Sequence, residues 1–269
     1  MKRYAIMGTF VVALSGVMVA PAWAQTSAGE QLKAYREALA EGNPAELYEM
    51  EGEELWVKPM GPKKASLDTC NLGLGPGVVK GASAQLPRYF KDTNKVQDLE
   101  SRLMTCMLNI QGIPESETID APWGKGQKKV MAAIVAYVVT QSKGMKVDVP
   151  ANLPQEKKMV ALGEKLFYQQ GGPMDFSCAS CHSVDNQRIR MQDLPNITKA
   201  KGAQAGWGSW PAYRVGNGQF WTMQHRINDC YRQQRMPFPI YGSDVTIALS
   251  IYMANKANGG EIITPGLKR

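Results

Sequence analysis

The stretch Phe176-Ser177-Cys178-Ala179-Ser180-Cys181-His182, FSCASCH, decides how this 269-residue chain is read. Two cysteines two residues apart can each form a thioether to a vinyl group of one haem, and the adjacent histidine is then placed under the iron as its proximal ligand. A zinc site would need a second Cys or His pair at matching spacing, and the chain holds only one other histidine, His225. The motif therefore points to one covalently attached haem c, with Cys178 and Cys181 as attachment points and His182 as an iron ligand.

The N-terminus agrees with that chemistry, because c-type attachment belongs to exported proteins. Lys2 and Arg3 precede an apolar run from Ala5 to Ala20 and the small-residue sequence Ala22-Trp23-Ala24, the three parts of a secretory signal peptide. That run is shorter than the about 20 residues of a spanning helix, and no later stretch is long and apolar enough to cross a bilayer. Cleavage after Ala24 is expected, leaving a periplasmic chain whose formal charge falls from +7 to +5, since Lys2 and Arg3 leave without an acid. Basic residues are scattered and carry no nucleic-acid-binding motif, so nucleic acid is not an expected partner.

Five cysteines stand at 70, 106, 178, 181 and 230. Three remain outside the haem motif, and an odd number cannot all pair among themselves. Their surroundings repeat. "RLMTCM" (102–107) and "RINDCY" (226–231) each place Arg four residues before Cys, on one face of a helix. Downstream, "AAIVAYV" and "ALSIYMA" lie in the helical segments Gly126–Ser142 and Gly242–Lys256. The order Cys, Arg-x-x-x-Cys, Tyr-bearing helix thus occurs twice, which argues for duplicated domains. The Gly- and Pro-containing stretch Ser142–Pro154 marks the boundary between a first domain, 25–150, and a second, 151–269.

Helices are expected at Gln97–Leu108 and Lys128–Gln141 and over the amphipathic stretch 155–170; Asn71–Lys80 reads as a glycine-rich loop, and strands are not strongly signalled. The fold class is all-α, two tandem cytochrome c-like domains. In the first, "CNLGL" departs from CxxCH at the second cysteine and at the histidine, so that domain is expected to lack haem. The economical reading pairs Cys70 with Cys106 in a disulfide, which leaves Cys230 as the odd thiol. Three side chains then compete for the sixth iron position. Met236-Pro237 is the ordinary choice in a c-type cytochrome, His225 would give a bis-histidine iron, and Cys230 would give a thiolate. The odd cysteine count and the repeated Arg-x-x-x-Cys argue for Cys230.

At this point the chain resembles a known family. The signal peptide, the duplicated halves, "CASCH" and above all "RINDCYRQQRMP" (226–237) look like SoxA, the catalytic cytochrome subunit of thiosulfate-oxidising Sox systems, over essentially the whole mature chain. The missing first CxxCH matches the single-haem type, in which the vestigial site becomes a disulfide. The resemblance implies that Cys178, Cys181 and His182 hold the haem. It implies that Cys230 is a persulfide-bearing iron ligand and catalytic residue, and that Arg226 contacts substrate. The activity it implies is the oxidative joining of thiosulfate to a cysteine of a SoxYZ-like carrier, with a SoxX-like monohaem cytochrome c as partner in a heterodimer. Arg226, one helical turn from Cys230, offers a permanently charged planar fork to a small dianion. Asp229, Arg232 and Arg235 are further candidates for the site, against the default of a solvated helix face. The rival from another class is a plain electron-transfer cytochrome with His182/Met236 ligation.

Overall fold

Helix α1 (Ala45–Val57) is rich in Glu and Leu, good helix formers, and buries Ala45, Gly52 and Trp56 along one face. The computed structural model describes residues 42–269 except 190 and 191, with a few residues between 30 and 38; the expected signal peptide, 1–24, lies outside the described residues. A two-stranded hairpin follows, β1 (Arg88–Phe90) and β2 (Lys95–Gln97), paired Arg88 to Gln97. Helix α2 (Leu99–Cys106) starts at Asp98, whose carboxylate accepts the Ser101 N–H at 2.9 Å while Ser101 Oγ accepts the Asp98 N–H at 3.0 Å. That reciprocal cap satisfies two of the donors a helix start leaves open. The chain runs on through a π-type turn, Met107–Gln111, to α3 (Glu115–Ile119) and α4 (Gly126–Thr140). From Met131 onward α4 is apolar nearly all round, and it is correspondingly buried.

The second half begins with α5 (Pro154–Tyr168) and α6 (Cys178–His182), then a minimal hairpin of β3 (Arg188–Ile189) and β4 (Gln192–Asp193). Next come α7 (Ala200–Gly208), β5 (Ala212–Arg214), β6 (Gln219–Trp221), α8 (Met223–Gln233), α9 (Asp244–Lys256) and β7 (Gly266–Lys268). β5 is central, antiparallel to β6 and parallel to the C-terminal β7. The expected helices are present, with ends trimmed by a few residues. The short strands were not expected, because two or three residues are too few to display an alternating pattern.

The two halves share one construction. α1 crosses α4 where Gly52 meets the backbone at Ala133, and α5 crosses α9 where Gly163 meets the backbone at Ala248. In each crossing a Cβ on the glycine would overlap that carbonyl oxygen and press on the next turn's tyrosine, Tyr137 or Tyr252. One constant offset in the chain carries Gly52 onto Gly163 and the β-bridge Met60–Ala65 onto Gly171–Phe176. The same offset carries Leu67, Cys70 and Asn71 onto Cys178, Cys181 and His182. Cys70 therefore corresponds to the second cysteine of CASCH, one motif position later than "CNLGL" suggests when read alone. Cys70 and Cys106 are disulfide-bonded across a sequence separation of 36, a loop whose closure is worth about 4 kcal/mol.

The stretch 142–154 does not hang free between the halves. Val147 N–H donates to the Gly260 carbonyl, Asp148 N–H to that of Ala84, and Asn258 clasps both backbone groups of Val149. Val147 and Val149 are buried with Ile247, Ile251 and Ile262. A second tie joins α2 to α8. Gln224, fully buried, donates its side-chain amide to Asp98 Oδ2 (2.7 Å) and its backbone N–H to Glu100 Oε2 (3.1 Å). Its side-chain oxygen, Oε1, accepts the Gly242 N–H, and Tyr241 O–H donates to Glu100 Oε1 at 2.9 Å. Burial, reinforced by the charge of Asp98, raises the Glu100 carboxyl from its ordinary 4.5 to about 8.

Two predictions follow from these contacts. Gly52→Ala and Gly163→Ala should each cost about 3 kcal/mol through forced helix separation, whereas Gly42→Ala, with open space around it, should cost almost nothing; urea denaturation followed by circular dichroism reads the difference. A carboxyl whose folded pKa lies above its unfolded value adds stability that is full below about pH 4.5 and fades as the pH rises to about 8. Glu100→Gln should therefore flatten the decline in unfolding free energy across that window, with Asp98, shifted in the same direction by burial, leaving a residual slope.

Candidate functional site

Ser177 sets the CASCH helix. Its Oγ accepts the Ser180 N–H while Ser180 Oγ accepts the Ser177 N–H, so the five-residue α6 starts on a reciprocal cap. His182 closes it. The ring Nδ1 lies 3.0 Å from the Pro195 carbonyl oxygen, and the His182 carbonyl accepts the Ile197 N–H at 2.7 Å. A carbonyl can only accept, so Nδ1 carries the proton and Nε2 keeps its lone pair. Burial, with the Arg226 charge adding to it, holds this imidazole below its ordinary pKa and so neutral.

Opposite stands α8. Thr222 Oγ1 accepts the His225 N–H at its start, and Gln224 anchors its first turn to α2. The helix thereby turns Arg226, Ile227, Cys230 and Tyr231 toward α6. Between them lies a cavity of about 390 Å³ whose walls include Cys178, His182, Arg226, Cys230 and the apolar side chains of Phe167, Trp207, Leu249 and Met253. A recess of about 230 Å³ adjoins it, lined by Cys181, His182, Arg214, Arg226, Cys230 and Gln233 among others. Cys178, Cys181 and Cys230 are free, partly exposed thiols. Burial, with the neighbouring Cys230 as a second cause, pushes Cys178 up to about 12. Cys230 is raised too: burial dominates, Asp229 adds to it, and the guanidinium groups of Arg226 and Arg214 oppose it.

The surroundings of Arg226 explain its aim. Its Nη1 donates to Asp229 Oδ2 at 3.0 Å, and its guanidinium lies over the Trp210 ring. Asp229 also binds Arg232 through Oδ1 and Gln233 through Oδ2, and these partners hold its carboxyl below the ordinary range against the opposing effect of burial. Asp229 is thus a hub that fixes Arg226. Arg232 is largely exposed, and Arg235 ends the helix with a left-handed backbone (φ 56°); neither borders either cavity.

The other two candidates for the sixth position lie elsewhere. His225 is clamped between the rings of Trp123 (4.0 Å) and Trp221 (4.1 Å), and burial drives its pKa to about 3. Met236 packs on the turn at Gly171 and Gly172. Neither residue borders the cavities. In the first half the corresponding places are closed. Cys106 is bonded to Cys70, while Arg102 donates from Nε to the Asn71 carbonyl at 2.7 Å and binds Asp92 at 2.8 Å. Sequence spacing did not reveal Arg214, which comes to the recess from β5 rather than from α8.

The chemistry of this donor set fits a haem of the c type. The cavity is largely apolar, with Cys178 on its wall, Cys181 of the same CxxC pair in the adjoining recess, an imidazole with a free Nε2 bordering both, and the thiol of Cys230 bordering both as well. Among the described residues no helix is long and apolar enough to cross a membrane.

Comparison with known proteins agrees. The family described as SoxA/TsdA, cytochrome c domain, matches residues 51–147, the half that lacks CxxCH. The L-cysteine S-thiosulfotransferase subunit SoxA of Hydrogenophilus thermoluteolus is 59% identical, covering 100% of both chains. A subunit of the same name from Hydrogenobacter thermophilus is 36% identical, again over 100% of both. The crystal structure of SoxXA from P. pantotrophus shares the fold, with a TM-score of 0.72 at 23% identity, covering 88% of this chain and 84% of that one. A duplicated helical frame, one CxxCH and an Arg-x-x-x-Cys helix facing it are thus found in a chain that belongs to the SoxA family of L-cysteine S-thiosulfotransferase subunits.

Proposed function

We propose that this chain is the SoxA subunit of an L-cysteine S-thiosulfotransferase, active in periplasmic thiosulfate oxidation. The observation that carries the reading is the placement of Arg226 and Cys230, one helical turn apart, on the wall of the cavity that His182 and Cys178 also line. The chain would comprise two cytochrome c-like domains, 25–150 and 151–269, with one haem in the second; the repeated glycine crossings and β-bridges support that division.

Cys178 and Cys181 would hold the haem as thioethers, and His182 Nε2 and Cys230 Sγ are the groups that would bind its iron. When bound, the haem supplies a cationic iron beside the Cys230 sulfur and a one-electron acceptor. The overall reaction joins the outer sulfur of thiosulfate to a carrier-protein thiol: one S–S bond forms, one S–H bond breaks, and a proton and two electrons leave. Two electrons need two one-electron acceptors, so a second redox partner is required, and a SoxX-like monohaem cytochrome c meets that need. The carrier would be a SoxYZ-like protein presenting its cysteine at the recess beside Cys230.

Within this chain Arg226 would bind the sulfonate oxygens of thiosulfate and Asp229 would keep its fork in place. Cys230, as thiolate or persulfide, would be the sulfur at which the substrate is activated. The apolar walls exclude water from that sulfur and strengthen the charge interactions there.

Cys230→Met should leave the haem attached while thiosulfate-dependent reduction of the partner cytochrome is lost in the assembled complex; retained turnover removes Cys230 from its assigned role. His225→Phe, which can still stack between Trp123 and Trp221, should preserve the low-spin optical spectrum, and a change of axial ligation in that variant counts against the assignment.

A further inference from the structure

Arg214 ends the central strand of the three-stranded sheet, with its backbone flanked by Gln219 on one side and Lys268 on the other. Its side chain borders both the large cavity and the recess, as do those of Arg226 and Cys230. It is the second guanidinium at the junction that Cys230 borders. Unlike Arg226, which Asp229 binds at 3.0 Å, the Arg214 side chain forms no ion pair or hydrogen bond with the described residues; its guanidinium rests over the Trp221 ring, 5.0 Å from the centroid. Its Nε is buried and has no acceptor. A buried donor left open costs about 1 to 3 kcal/mol, so such an atom is ordinarily satisfied by something that visits the site.

Charge points the same way. Thiosulfate is a dianion, and the Arg226–Asp229 pair presents it with a cation already half neutralised. Arg232, which shares Asp229, is exposed and turned away from both cavities. A guanidinium without a direct ion-pair partner in a partly dry recess attracts an anion several times more strongly than it would in water.

We propose that Arg214 is a second oxoanion-binding residue of the site, holding the sulfonate end of the sulfur substrate together with Arg226 so that its outer sulfur meets Cys230. This rests on the SoxA reading and adds to it a residue outside the Arg-x-x-x-Cys motif. The strand pairing fixes the backbone of Arg214 before substrate arrives, so no backbone freedom at this position is left to lose on binding.

A carboxylate of the haem would suit the same guanidinium, and the test separates the two sources. The haem-loaded complex with its partner cytochrome is prepared as wild type, Arg214→Gln and Arg214→Lys. For each, haem content, the ferric spectrum, thiosulfate affinity from optical titration without carrier, and kcat and KM with carrier are measured. The expected result is unchanged haem content and spectrum, a ten- to hundred-fold weaker thiosulfate affinity and higher KM in Arg214→Gln, and partial recovery in Arg214→Lys. Wild-type turnover with an unaltered affinity and KM in Arg214→Gln overturns the proposal and leaves the SoxA reading standing. Lost haem or a shifted spectrum with unaltered thiosulfate affinity assigns Arg214 to the haem carboxylate and also overturns it. A wild-type complex that neither binds nor oxidises thiosulfate defeats the functional reading itself.

Discussion

Gln224 is held by two buried carboxylates. Asp98 accepts its side-chain amide and Glu100 its backbone N–H, and both acids come from the start of α2 in the first half. This tie decides where α8 points, and α8 carries Arg226, Asp229 and Cys230. Removing one partner of such a network would leave an unpaired buried carboxylate, which costs more than the bond itself contributes. The first half therefore takes part in building the site. It supplies the anchor for the helix whose sulfur faces His182, and Trp123 from the same half closes over His225.

The duplicated halves show how one frame serves two ends. Both rest on a helix crossing that admits only glycine, at Gly52 and at Gly163. In the second half Cys181 and Cys230 remain free thiols at the edge of a cavity. In the first, the equivalent cysteines are joined to each other and the equivalent arginine, Arg102, is bound to Asn71 and Asp92. The disulfide and that ion pair close a space which the other half keeps open. Leu67 and Asn71 stand where Cys178 and His182 do, so the CxxCH pattern is met in the second half alone.

Much of this was legible in the chain. CxxCH, the repeated Arg-x-x-x-Cys and the periodic helices act through local spacing, and local spacing survives in sequence. The odd cysteine count points to residue 230, and the fold sets that residue on the cavity wall. Other features depend on what the fold brings together from afar. The pairing of Cys70 with the second rather than the first cysteine of CASCH emerges only from the shared glycine crossing and β-bridge. Gln224 reads as an ordinary polar helix residue until Asp98 and Glu100 come up beside it. Arg214 sits in a three-residue strand with no motif around it, and the placing of His225 away from the cavities depends on Trp123 and Trp221.

The account turns on the sulfur of residue 230 as the ligand facing His182. Low-temperature electron paramagnetic resonance with near-infrared magnetic circular dichroism of the ferric, haem-loaded chain reports that ligand directly. Histidine–thiolate type signals that disappear in a protein lacking the residue 230 sulfur are the predicted result. A methionine-sulfur charge-transfer band or a bis-histidine signature in the unaltered protein would contradict it.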